Sequence, residues 1–181
     1  LQPMFRNRAF WAIVFISGLL LFVTVSNQIT QTRFEENVRQ AQVAMDSGSL
    51  KLASEYITTA SELGDGPLLD AIEHRWNLLN GSSQNFSEGS YALFVGEYLD
   101  AVELLSRVSP EDALNYSPAQ ELLEEAETKL VQAAISESKE LSNAGSGEAA
   151  INAIQSVPDR LVTDELRLLE LDYREQYVQE L

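Results

Sequence analysis

The strongest constraint in this sequence is the run Ala9–Val25, AFWAIVFISGLLLFVTV, which carries no charged side chain and follows directly on Arg6 and Arg8. An α-helix rises about 1.5 Å per residue, so a run of this length covers most of a hydrocarbon layer roughly 30 Å thick. The expected element is a transmembrane helix over residues 9–27. A secretory signal peptide starts the same way, but its apolar core is shorter, about 7 to 15 residues, and ends in a small-x-small cleavage site. Thr24-Val25-Ser26-Asn27-Gln28 is a poor version of that site and has no Pro or Gly to break the helix. A retained anchor is therefore expected. The chain begins at Leu1 rather than Met, so upstream processing or a preceding segment is expected too.

Cytoplasmic flanks of a single span retain an excess of Lys and Arg. Residues 1–30 hold Arg6 and Arg8 and no acid, whereas the far flank mixes Arg33 and Arg39 with Glu35 and Glu36. Residues 1–8 are accordingly expected in the cytoplasm and residues 28–181 outside it, in a periplasm or at a cell surface. Within the span, Gly18 beside Ser17 offers a small surface of the kind that lets membrane helices touch.

The net charge is −16, of which the first thirty residues contribute +2, leaving about −18 on the other 151. A phosphate backbone needs cations to neutralise it, so nucleic acid is excluded as a partner. The same charge argues against lying flat on anionic lipid and leaves two roles, solubility or attraction of a basic partner. Those 151 residues suffice for one core of ordinary size. The absence of cysteine removes disulfides, iron–sulfur clusters, thiolate zinc and a cysteine nucleophile together.

The remainder is written in helical periodicity and reads as all-α. Residues Gln28–Asp46 lack Pro and Gly, so the membrane helix is expected to run on to the Ser47-Gly48-Ser49 stop. Leu50–Leu63 follows, with Leu52, Ala53, Tyr56, Ile57, Ala60 and Leu63 on one face. Asp65-Gly66-Pro67 should turn the chain into a helix reaching Leu79. NGSSQN at Asn80–Asn85 reads as an exposed loop, Ser87 as the cap of a short helix to Val95, and Glu97–Val108 as another helix. Ser109-Pro110-Glu111-Asp112 and Ser117-Pro118-Ala119-Gln120 both look like helix starts, the second opening a long helix to Ser142. A shorter helix to Ser156, a turn at Val157-Pro158-Asp159 and a last helix capped by Thr163 complete the chain.

An internal repeat sorts these helices. Gly48-x-Leu50-x-x-Ala53-x-x-Tyr56-Ile57-x-x-Ala60 shares its cadence with Gly96-x-Tyr98-x-x-Ala101-x-x-Leu104-Leu105-x-x-Val108, and Gly145 with Ala150, Ala153, Ile154 and Val157 makes a third copy. Each Gly falls where a helix must turn back, and each Ala allows two helices to approach. Stacked antiparallel helical hairpins follow, because one hairpin cannot bury its apolar face alone.

Ser90–Pro110, SYALFVGEYLDAVELLSRVSP, resembles the tetratricopeptide repeat in its small-residue turn, its Gly-x-Tyr-x-x-Ala opening and its closing Pro; the resemblance extends less fully to residues 41–63 and 134–158. The copies lie 48 and 49 residues apart, against the family's period of about 34, with the excess assigned to the first helix of each pair. The resemblance implies a tetratricopeptide-like α-solenoid that acts as a scaffold for protein contacts; it names no ligand.

Few residues point to chemistry. His74 is the only histidine and lies one turn from Asp70, the spacing of a hydrogen-bonded pair, but a packing or surface role is the plainer reading. Glu121, Glu124, Glu125 and Glu127 crowd one helix, whose straight axis splays carboxylates rather than converging them on calcium. No nucleophile elbow, zinc-protease, phosphate-loop or dinucleotide motif occurs, so no catalytic residue, cofactor, metal or small-molecule substrate is expected. Three glycosylation sequons, at Asn80, Asn85 and Asn115, fall in expected loops. Tyr56, Trp76, Tyr91, Phe94 and Tyr98 read as core. Leu166, Leu169, Tyr173 and Tyr177 on the last helix have no later repeat to cover them, and form either an open face for a partner or the inward side of that helix.

The sequence thus predicts a membrane-anchored, non-enzymatic scaffold or accessory subunit, with protein partners at the membrane and the bilayer engaged through residues 9–27. The alternatives are a structural subunit of a larger membrane machine or surface filament, and the sensor end of a signalling protein.

Overall fold

The computed structural model describes the backbone of residues 3–180 and the side chains of residues 11, 12 and 14–176. Among the described residues there are seven α-helices and no strand, so the chain is all-α. The helices are α1 (Pro3–Asp46), α2 (Leu50–Leu63), α3 (Pro67–Val95), α4 (Tyr98–Ser106), α5 (Tyr116–Asn143), α6 (Gly147–Gln155) and α7 (Asp164–Glu180), with one 3-10 turn at Asp159–Leu161. The chain divides into two compact units, Leu1–Asn80 and Gly81–Leu181.

In the first unit α1 runs unbroken from the apolar stretch to Asp46. Its C-terminal part buries Val38, Ala41, Ala44 and Met45 against Ala53, Ile57 and Ala60 of α2. Ala41, Ala53 and Ala60 expose no surface, and side chains this short let two helix axes approach closely. Leu52, expected on the packed face, is 44% exposed. It precedes Ala53 by one residue, and the rotation of about 100° between neighbours carries it off the Ala53–Ile57–Ala60 line. The start of α3 adds Leu69, Ile72 and Leu79, with Trp76 packed alongside. The Trp76 indole N–H donates to the Leu50 carbonyl at 2.9 Å, and Arg75 pairs with Asp46 at 2.6 Å.

The second unit holds two further apolar clusters. Ala92, Leu93, Ala101, Val102, Leu105, Val108, Ala119, Ala126 and Leu130 form one, from α3, α4 and α5. Ala134, Ala150, Ile154, Val157, Leu166 and Tyr173 form the other, from α5, α6 and α7. The interior is thus split among local clusters, and each of the long helices α3 and α5 supplies two of them with different stretches.

Several expected boundaries fail. Residues 80–85 form no loop: α3 continues through NGSSQN and past Ser87, which caps nothing. The local preference of Asn, Gly and Ser for turns is outweighed by packing. Ser82 is buried, and its hydroxyl accepts the Ser109 N–H at 3.0 Å. A Cβ on Gly89 would stand 2.8 Å from Leu105 Cγ and 3.1 Å from Leu104 Cβ, so α4 lies against a glycine notch that only a continuous helix provides. Ser109-Pro110 opens a turn instead of a helix, with the Asp112 N–H bonded to the Ser109 carbonyl. The long helix starts at Tyr116, not Pro118, because the buried Asp112 carboxylate accepts both the Asn115 N–H at 3.2 Å and Asn115 Nδ2 at 2.9 Å. The Thr163 cap is present, its hydroxyl accepting the Leu166 N–H at 3.3 Å.

Candidate interaction surface

The repeat read from the sequence corresponds to three helix–turn–helix corners with one hydrogen-bond pattern. At the first, Ser49 N–H reaches the Ala44 carbonyl at 2.8 Å and Gly48 N–H the Met45 carbonyl at 2.9 Å. At the second, Glu97 bonds Ala92 at 2.9 Å and Gly96 bonds Leu93 at 3.3 Å; at the third, Ser146 bonds Leu141 and Gly145 bonds Ser142, both at 2.9 Å. This is the Schellman closure, which needs a left-handed residue. Gly48, Gly96 and Gly145 supply it with φ of 77°, 88° and 75°.

Burial repeats as well. Five residues after each glycine stand Ala53, Ala101 and Ala150, all with no exposed surface, and nine residues after stand Ile57, Leu105 and Ile154, all buried. Tyr98 packs partly buried against the second cluster. The sequence reading missed the opposing position, seven residues before each glycine, where Ala41, Gly89 and Ser138 are all buried. Small size at a constant offset was the available signal, obscured because no two of the three residues are alike.

The outer faces of the corners differ. Two residues before the glycine stand Asp46, Phe94 and Asn143; one before, Ser47, Val95 and Ala144; three after, Lys51, Leu99 and Glu148; all are exposed. Only the Gly96 corner is apolar at each. Tyr91, one turn before Phe94 and Val95 on the same side of α3, adds a fourth apolar group. Phe94 is 86% and Tyr91 66% exposed, which corrects their expected place in the core. The helix turns Gly89, Ala92 and Leu93 inward, and about 100° per residue carries Tyr91, Phe94 and Val95 to the other side.

Of the two readings of α7, its described residues follow the inward one. Leu166 and Tyr173 are buried in the third cluster, and Leu169 is packed against it. Leu161 and Val162, just before α7, also pack on that cluster and help cover it. The side chains of Tyr177, Arg6 and Arg8 lie outside the described residues. Gly18 lies on an exposed stretch of α1, with no neighbouring atom within 4 Å of a Cβ placed there.

Among the described residues one helix, over Val14–Asp46, is long and apolar enough to cross a membrane, and none of its most apolar window is buried. Within it the Thr24 hydroxyl donates to the Leu20 carbonyl at 2.8 Å, and just beyond it the Thr30 hydroxyl to the Ser26 carbonyl at 3.1 Å, the local back-bonding that suits an apolar surrounding.

The groups singled out for chemistry do not converge. His74 is exposed, and no hydrogen bond joins it to Asp70. Among the described residues no three metal-ligating side chains gather. Glu121, Glu124 and Glu125 line an open face with Thr128, Lys129 and Gln132; Lys129 pairs with Glu125 at 2.6 Å, and that hydrogen bond raises the Lys129 pKa. On α7 the Glu170 carboxylate accepts from Gln155 at 2.8 Å and from Arg174 at 2.7 Å, which together lower its pKa. Of the sequons, Asn80 and Asn85 sit on α3 rather than in loops, whereas Asn115 lies, as expected, in the turn that leads into α5.

Charge is uneven. The first unit has eight acidic and six basic residues, net −2, and the second twenty and six, net −14. All six bases of the second unit pair with acids: Arg107 with Glu103, Lys129 with Glu125, Lys139 with Glu165, Arg160 with Glu127, Arg167 with Asp164 and Arg174 with Glu170. Glu88, Glu97 and Asp100, around the Gly96 corner, have no cationic partner among the described residues.

No protein-family model, curated protein or solved structure matches this chain.

Proposed function

We propose that this chain is a single-pass membrane protein whose helical domain, a tetratricopeptide-like solenoid of unusually long period, holds protein partners at the bilayer without catalysing a reaction. The carrying observation is the unbroken α1. Its exposed apolar stretch passes without a hinge into residues that pack against α2. On this reading residues 9–27 cross the membrane, residues 1–8 face the cytoplasm, and the acidic domain stands outside. The three matching corners support a repeat scaffold, because a repeat keeps its inner positions constant and leaves its outer ones free to meet partners.

The test is fractionation of the full chain and of a Leu20→Arg/Phe22→Arg double variant, followed by gentle solubilisation and mass measurement of the intact complexes. Each arginine at the centre of a span costs about 2.5–3.5 kcal/mol. The full chain should sediment with membranes, resist alkaline extraction and emerge bound to other proteins, while the double variant should not be retained. A full chain that is released by alkali, or is recovered only as a monomer, contradicts the proposal.

A further inference from the structure

We propose that the Gly96 corner is a docking site for a protein segment that presents an apolar or aromatic anchor framed by lysine or arginine; this rests on the scaffold reading and names its partner's chemistry. Three corners built on the same hydrogen bonds and the same buried positions provide an internal control. The first and third carry Asp46, Lys51, Asn143 and Glu148 at outer positions where the second carries Phe94 and Leu99. The folding of a corner therefore does not demand these apolar groups. Phe94 exposes 86% of its surface, and a phenyl ring left in water on a packed helix retains most of its apolar area for a contact.

Charge selects the occupant. Glu88, Glu97 and Asp100 flank the apolar groups in sequence and have no cationic partner among the described residues, on a unit whose net charge is −14. A second copy of this chain would bring the same acids to the same place, and anionic lipid would be repelled in the same way. Neutral lipid would take the apolar groups but strip water from carboxylates without replacing it. A segment with an apolar anchor and flanking cations satisfies both sets, as in helix-in-groove recognition with a charged rim. Within the reach of one or two helical turns, it needs two or more Lys or Arg about its anchor.

The test places a photoreactive benzoylphenylalanine at position 94 of the full chain in its native membranes, and in separate chains at the matching positions 46 and 143. The linked peptides are then sequenced. The expected result is a yield about tenfold higher at 94 than at either control, joined to a segment of another protein with at least two basic residues within two turns of the linked apolar residue. Phe94→Ser with Tyr91→Ser, both exposed, should cut recovery of that partner by about tenfold without changing helix content. Glu97→Gln with Asp100→Asn should weaken it several-fold and flatten its dependence on salt. Links to lipid, to a second copy, to a segment lacking basic residues, or in equal yield at all three positions overturn the proposal. If the full chain still recovers partners while position 94 is silent, the docking site fails and the scaffold reading stands. If the full chain recovers none, both fail.

Discussion

The two units share a corner and differ in what they place around it. Leu1–Asn80 is nearly neutral and is built on the exposed apolar helix, whereas Gly81–Leu181 carries almost the whole negative charge of the chain. Yet Gly48 and Gly96 close their helices with the same two hydrogen bonds, and Ala53 and Ala101 are equally buried. Packing dictates the inner positions, so they match across units. The shared packing of the corners leaves the outer positions free, and there the units diverge from Asp46, which pairs with Arg75, to Phe94, and from Lys51 to Leu99.

The sharpest way to break that division is to truncate one residue from each side of the second corner. Leu105 is wholly buried and Leu99 is 43% exposed. Leu105→Ala should cost about 2–5 kcal/mol, and Leu99→Ala should stay within about 0.5 kcal/mol, as read by denaturant unfolding of the full chain. Equal costs would mean that the outer position is structural after all.

A smaller effect separates two glycines of one helix. Gly81 has open space around an added Cβ, so Gly81→Ala should stabilise by about 0.5–1 kcal/mol through helix propensity. Gly89 faces the Leu105 side chain at 2.8 Å, and overpacking of this kind costs about 1–3 kcal/mol. Gly89→Ala should therefore be a net destabilisation. Thermal unfolding of the two variants gives opposite signs if the notch between α3 and α4 is as close as described.

The smallest effect concerns charge. Glu170 is held below its usual value of 4.5 first by the Gln155 amide and then by Arg174. Its stabilising contribution is therefore present above pH 4.5 and is lost as the pH falls through the lower folded value. Glu170→Gln should cost about 0.5 kcal/mol at pH 7 and nothing once the carboxyl is protonated, measured as the difference in melting between variant and parent across that range. A difference that persists into acid would assign the effect to packing.

How far these contrasts were legible depended on whether local or distant residues decided them. Leu50–Leu63 and the glycine corners were readable because a stop signal and a helical period lie in the same few residues. The path of α3 through NGSSQN was not, since Ser109 and Leu105, each at least sixteen residues away from their contacts in α3, hold it there. Aromatic character alone points Tyr91 and Phe94 to the core, while their offsets from Gly96 turn them outward. Leu166 and Tyr173 look uncovered in the sequence because Leu161 and Val162 belong to no repeat, although they pack on the same cluster.

On the proposed reading the first unit anchors and the second recognises. Zero-length carbodiimide coupling in native membranes joins carboxylates to amines within contact distance, and mass spectrometry then assigns each link to a residue. Links from this chain to lysines of other proteins should then concentrate on acids of residues 81–176. Links confined to residues 28–80, or spread over both units in proportion to their acids, would contradict it.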